Sequence, residues 1–136
     1  MTTIWPLPKI EIRALSTLKE ERPVALLTGR RAWEAARSQL DLPLVVQAEP
    51  HKATHEYFET LAANLPPQAE VIYGVGGGLV ADCAKYIGWK CNRPVVIVPT
   101  ALSADGFFTA IVAVRENDTV RYVSTGPAEK IVIDWD

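Results

Sequence analysis

The sequence predicts a doubly wound, mostly parallel α/β sheet with an appended β-hairpin. Three observations carry that reading. Short apolar runs alternate with stretches of helical periodicity along most of the chain. One such run, Val71-Ile72-Tyr73, breaks into Gly74-Val75-Gly76-Gly77-Gly78 and is followed at once by a helical pattern, Val80, Cys83, Ala84 and Ile87. Near the end, Thr109–Arg115 and Thr119–Ser124 alternate around Glu116-Asn117-Asp118, as a hairpin does.

Taken in order, Lys9–Arg13 (KIEIR) alternates and reads as a short strand, with Leu15–Glu21 a brief helix after it. Pro23–Thr28 (PVALLT) is a buried strand closed by Gly29. Ala32–Leu40 is helical, Leu44–Gln47 a strand, and His51–Leu65 a helix that starts after Pro50 and ends at Pro66-Pro67. The glycine-led helix leads to a further apolar run, Val95–Val98, stopped by Pro99-Thr100. Thr100–Phe108 reads as loop with one helical turn, and Lys130–Trp135 (KIVIDW) as a last strand.

The chain has 136 residues, 49% of them hydrophobic, enough for one ordinary domain with its own core. A net charge of −2 gives no reason to expect nucleic acid or an anionic membrane as partner. The longest apolar runs are strand-sized, so no spanning helix is predicted. No basic segment followed by an apolar core opens the chain, so no signal peptide is expected and the predicted compartment is the cytoplasm. Cys83 and Cys91 fit no metal spacing, and Cys83 falls on an inward helix face as a reduced core thiol.

The glycines point to chemistry. Gly76, Gly77 and Gly78 carry no Cβ to hold an anion off the backbone, and they open a helix whose unpaired N–H groups attract phosphate. Four glycines in five positions between strand and helix argue for a phosphate or dinucleotide site over a plain turn. Leu79 stands where GxGxxG needs its last glycine, and no GK[ST] follows. Asp82 is expected in the first helical turn, where its charge suits the dipole, with Lys85 three residues on and able to pair with it. Gly29 and Arg30-Arg31 take the place where many dinucleotide folds put an acidic ribose ligand. That substitution would tolerate or favour a 2′-phosphate; a solvated helix start fits the same residues.

Asp105, in Ser103-Ala104-Asp105-Gly106, follows a strand end and could bind a substrate hydroxyl or relay a proton, though alone it reads as an Asp-Gly turn. His51 and His55 are expected four apart on one helix face, as surface residues and not zinc ligands, because no HExxH and no near third ligand exist. No GxSxG occurs and no histidine lies near Ser103, so a Ser-His triad is unsupported. The tryptophans at 5, 33, 89 and 135 are scattered and read as packing.

GVGGGLVADCAK followed by PVVIVPTALSADG resembles the N-terminal domain of the iron-containing alcohol dehydrogenase, glycerol dehydrogenase and dehydroquinate synthase superfamily. Its sn-glycerol-1-phosphate dehydrogenase branch is the most similar, sharing a GGG…D…AKY signature and a PTA-x-S-x-DG segment like Pro99–Gly106. Leu7-Pro8-Lys9-Ile10 and Ile131–Asp134 extend the likeness over nearly the whole chain. The resemblance implies a Rossmann-like domain serving NAD- or NADP-dependent, metal-assisted hydride transfer between a small polyol phosphate and its ketone. It implies a diphosphate cradle at Gly76, Gly77 and Gly78, with Asp82, Thr100, Ser103, Thr109 and Ile111 along the cofactor cleft and Gly29 and Arg30 at its adenosine end. Asp105 matches the substrate-side carboxylate. Leu79 departs from relatives with a basic or polar residue after the triple glycine.

In that family the zinc or iron ligands, an aspartate and two histidines, belong to a helical second domain that residues 1–136 lack. Asp134 and Asp136 precede the place of that aspartate, so no metal ligand is carried over. Residues 1–136 are therefore expected to be a nucleotide-binding domain, inactive alone, with an apolar face left bare and self-association as the result. A dehydroquinate-synthase-like lyase domain, a non-catalytic nucleotide-binding module and an assembly domain with a vestigial site are the alternatives at this point.

Overall fold

The computed structural model of the protein describes residues 7–100 and 109–134. Strands β1 (Lys9–Ile12), β2 (Val24–Thr28), β3 (Leu44–Ala48), β4 (Val71–Gly76), β5 (Val95–Pro99) and β8 (Lys130–Ile133) form one six-stranded sheet. Their order is β1-β8-β5-β4-β2-β3 and every pairing is parallel. Helices α1 (Arg30–Ala36), α2 (His55–Ala63) and α3 (Gly78–Cys91) cross between strands, and β6 (Ile111–Glu116) with β7 (Thr119–Ser124) forms a separate antiparallel hairpin. The doubly wound α/β sheet with a hairpin is the fold expected from the sequence.

Strict alternation along the central strands builds two cores. Ala25, Leu27, Ile72, Ile97, Ile131 and Ile133 face α2, α3 and the hairpin residues Val112 and Val114. Val24, Leu26, Val71, Tyr73, Val75, Val96, Val98 and Val132 face the other way, onto Leu15, Leu18, Ala36 and Leu40. Strands buried on both faces read as continuous apolar runs, which is why VALL and VVIV carry no polar alternation.

Several boundaries differ from the sequence reading, each for a local reason. The strand begun at Val71 runs on through Gly74 to Gly76, because α3 lies directly on it. A Cβ at Gly74 would stand 3.0 Å from the Ala84 Cβ, so a bare backbone lets the helix come that close. Helix α2 starts at His55, four residues past the expected start, since the Thr54 hydroxyl caps it by accepting from the Tyr57 N–H at 3.2 Å. His51 lies outside that helix, its Nδ1 3.0 Å from the Tyr57 hydroxyl, so the two histidines share no helix face. The expected helix after β1 shrinks to one 3₁₀ turn, Leu15–Thr17. The hairpin turns on Asn117 and Asp118, both at positive φ, in a two-residue loop of the kind that matches strand twist.

Under the second core, Glu20 is an almost fully buried carboxylate. It accepts from Arg22 Nε and Nη2 at 3.0 Å and from the Tyr73 hydroxyl at 2.8 Å, and Arg22 also reaches Glu129 at 2.9 Å. Burial works to raise its pKa, but the bonds from Arg22 and Tyr73 outweigh that and hold it near about 2. A carboxyl depressed on folding stabilises the protein above its unfolded pKa, and that contribution fades as pH falls through the folded value. Stability should therefore drop between about pH 4.5 and pH 2. Glu20→Gln should remove on the order of 2–3 kcal/mol at neutral pH and flatten that acid limb, as measured by urea unfolding at stepped pH.

Candidate functional site

The strand order reverses between β2 and β4. The chain leaves β2 outward to the edge strand β3, then returns past β2 to lay down β4 and β5. In open parallel sheets, the crevice beyond the carboxyl ends at such a reversal is where ligands bind. Here that edge is formed by Thr28-Gly29 after β2, Gly76-Gly77 after β4 and Pro99-Thr100 after β5.

Backbone geometry at β4 shapes the floor. Gly76 is the last strand residue, and a Cβ there would lie 3.1 Å from Val80 Cγ2. Its carbonyl accepts from the Thr100 N–H at 3.1 Å. The Thr28 hydroxyl, itself buried, donates to the Val75 carbonyl at 2.7 Å and ties the two strand ends together. Gly77 is then the whole turn: it is exposed, and nothing lies within 4 Å of where its Cβ would be. Gly78 begins the 14-residue helix α3, and no side chain caps it. The Gly78, Leu79 and Val80 N–H groups thus open toward the crevice, at the positive end of a four-turn dipole. Of the four glycines, two serve close packing inside the strand and two make the opening.

The other expected cofactor residues fall around this edge. Gly29 caps α1, and Arg30 is exposed with Glu34 3.7 Å from its Nε. Together with Thr28, Trp33, Arg37 and Glu49 they line an open cavity of about 410 Å³ at the ends of β2 and β3. Trp33, which reads as packing in the sequence, does pack against the second core and also forms one of the walls of this cavity; its helix begins at Arg30, two residues earlier than expected. Thr100 is exposed at the end of β5, and Thr109 and Ile111 are exposed at the start of the hairpin. Asp82 stands in the second turn of α3, not the first, so it sits beyond the free amides. Burial raises its pKa against the pull of Lys85 and of the Ala113 N–H. Ser103 and Asp105 lie outside the described residues.

Lys85 pairs with Asp82 as the spacing suggested, Nζ to Oδ1 at 3.8 Å, yet its larger engagement is with the hairpin backbone. Cys83 is fully buried, and burial pushes its thiol up to about 12, so it is an inert core group. Among the described residues no group of three or more His, Cys, Asp and Glu side chains could hold a metal ion, and no helix is long and apolar enough to cross a membrane.

Thr28→Val should test the floor of the crevice. It removes the hydroxyl while keeping the shape, leaves the buried Val75 carbonyl short of a partner, and should cost about 1–2 kcal/mol in chemical denaturation.

Comparison with known proteins shows the family and the fold. A family model described as iron-containing alcohol dehydrogenase matches residues 11–136. The chain is 34% identical over 110 residues to the glycerol-1-phosphate dehydrogenase [NAD(P)+] of Methanospirillum hungatei, covering 78% of this chain and 30% of that protein. To the enzyme of the same name from Nitrosopumilus maritimus it is 38% identical over 120 residues, covering 83% and 34%. The chain thus spans about a third of the length of these relatives. Its fold superposes on a probable glycerol dehydrogenase from Sinorhizobium meliloti with a TM-score of 0.78, at 21% identity, over 98% of this chain and 41% of the other. It also superposes on the sulfoacetaldehyde reductase of Bifidobacterium kashiwanohense in complex with NAD+, with a TM-score of 0.78 at 11% identity, over 98% and 46%. With the match running from Glu11 to the last residue, the chain belongs to the iron-containing alcohol dehydrogenase family.

Proposed function

We propose that this chain is the NAD(P)-binding domain of a metal-dependent oxidoreductase acting on a small polyol or polyol phosphate, of the glycerol-1-phosphate/dihydroxyacetone phosphate kind, and that alone it does not turn over. The observation that carries this reading is the uncapped, exposed start of α3 at Gly77-Gly78, set at the reversal of the strand order. The names of the dehydrogenases matched above support the substrate class, and favour it over a lyase of dehydroquinate-synthase type.

In this reading the amides of Gly78, Leu79 and Val80 hold the diphosphate, the bare backbone at Gly77 lets it approach, and Gly76 completes the cradle by seating the helix close to the strand end. The adenosine half lies toward Gly29 and Arg30, and Thr100, Ser103, Thr109 and Ile111 border the nicotinamide half. Asp82, in the second turn of α3, belongs to the same site as the counter-charge of Lys85. Asp105 is the substrate-side carboxylate. A bound dinucleotide supplies the hydride acceptor or donor; the domain binds it, orients it and shields it from water. The family name implies a metal. The described residues offer no donor set for one, so polarisation of the substrate oxygen is assigned to none of them, and a second domain is left to supply it. Self-association in the cytoplasm belongs to the same reading. Ile10 and Ile12 on the edge strand β1, and Leu44, Val45 and Val46 on the edge strand β3, remain exposed apolar groups that such contacts would cover.

Gly77→Asp separates binding from folding. The position has φ −89° and open space around it, and aspartate is a favoured helix N-cap, so the thermal midpoint should hold or rise slightly. The new carboxylate would occupy the anion's place, and NADH affinity measured by fluorescence titration should fall by about tenfold or more. Unchanged affinity would remove the diphosphate from this turn.

A further inference from the structure

Lys85 is a lysine where the helix pattern asks for an apolar residue. It is 2% exposed, on the face of α3 that also buries Ala81, Ala84 and Gly88. Burying an ammonium is costly unless its donors are met. Its Nζ donates to the Thr109 carbonyl at 3.1 Å and the Ile111 carbonyl at 3.2 Å, and stands 3.4 Å from Thr109 Oγ1. The Asp82 carboxylate stands 3.8 Å away. The buried Lys85 ammonium, with Asp82 beside it, therefore grips the backbone of Thr109 and Ile111.

Holding the hairpin down does not require this arrangement. Val112 and Val114 are already buried against α3 and α2, and the Arg115 N–H donates to the Ala53 carbonyl at 2.8 Å. In the lead-in to β6, the Ala110 carbonyl accepts from the Thr125 and Gly126 N–H groups at 2.9 and 3.1 Å, and the apolar contacts reach neither Thr109 nor the Ile111 carbonyl. The ladder with β7 begins at Ile111 opposite Ser124, so Thr109 lies ahead of it. An ammonium with three donors and a fixed counter-charge meets the carbonyls there and fixes where Thr109 and Ile111 stand.

We propose that Lys85 is a positioning residue: with Asp82 it clamps Thr109–Ile111 onto α3 and so sets the nicotinamide-side wall of the cleft. The clamp stands on the contacts above, while its consequence for the cofactor rests on the proposed dinucleotide site. A lysine with only a structural role would affect all ligands of the domain alike. A positioning lysine acts on the nicotinamide half and spares the diphosphate, which is held a helical turn or more away.

The test uses the whole chain carrying Lys85→Met, which keeps the aliphatic stem and removes the ammonium. Amide hydrogen exchange at residues 110–113 should quicken about tenfold or more, with β4 and β5 much less affected. NADH should bind about tenfold more weakly, while ADP-ribose, which lacks the nicotinamide, should stay within about twofold. Lys85→Arg should recover part of the NADH preference. Equal losses for both ligands, or unchanged exchange at residues 110–113, would overturn the proposal. Should Lys85→Met fail to fold, the wild-type chain still decides the clamp. A hydrogen-bonded Lys85 ammonium should give a resolved, slowly exchanging ¹H–¹⁵N signal in NMR, and a fast-exchanging one would refute it. If the wild type bound neither ligand, the proposed function would fall, and the exchange and ammonium results would still decide whether Lys85 holds the segment.

Discussion

The close seat of α3 on β4 is the constraint from which the rest of the molecule follows. The helix packs over a strand that has no side chain at Gly74 or Gly76, where a Cβ would meet Ala84 or Val80 at 3.0 to 3.1 Å. Bringing the helix this near fills the larger core with Val80, Ala84 and Ile87 against Ile72 and Ile97. It also fixes where the helix begins: at the rim of the sheet, with its first amides beyond the last strand residue. A side chain at either glycine would push the helix off the sheet and take both the packing and the placement of its first amides with it.

That seat gives the two faces of the sheet different tasks. The face under α2 and α3 carries the thick apolar core and the hairpin, and there the buried Lys85 pairs with the partly exposed Asp82 where the hairpin meets α3. The opposite face is thinner, covered by α1 and a single 3₁₀ turn, and includes the buried Glu20 carboxylate bonded to Arg22 and Tyr73. Both polar clusters are fully engaged, as buried charges must be, but they serve different ends. The Glu20 cluster joins the start of β2 to β4 and stabilises the sheet. Lys85 reaches from the helix to the carbonyls of Thr109 and Ile111 at the start of the hairpin.

Much of this was legible in the sequence. The doubly wound sheet followed from apolar runs separated by helical patterns, and the glycine run marked the start of α3 within one residue. What escaped had three-dimensional causes. Gly74 read as the break that ends the strand and Gly76 as part of the anion cradle, because a pattern rule cannot tell a glycine that turns the chain from one that lets a helix approach. Pro50 drew the start of α2 too early, while the working cap was Thr54, whose only signal is its position ahead of a helical run. Lys85 read as half of an i,i+3 pair with Asp82 and nothing more. Its burial depends on carbonyls 24 and 26 residues further along, and no local pattern carries that. Among the candidate site residues, the geometry brings Gly29, Gly76, Gly77, Gly78 and Thr100 to one rim and moves Asp82 a turn along α3.

The most direct measurement is an NMR titration of the isotopically labelled chain with ADP-ribose. If the rim of β4 and the start of α3 form the diphosphate cradle, the largest amide shifts should fall on Gly77, Gly78, Leu79 and Val80, with smaller ones at Thr28–Arg30. Saturation that leaves those four amides unmoved, or shifts gathered instead around Thr54 and the tip of the hairpin, would contradict the account.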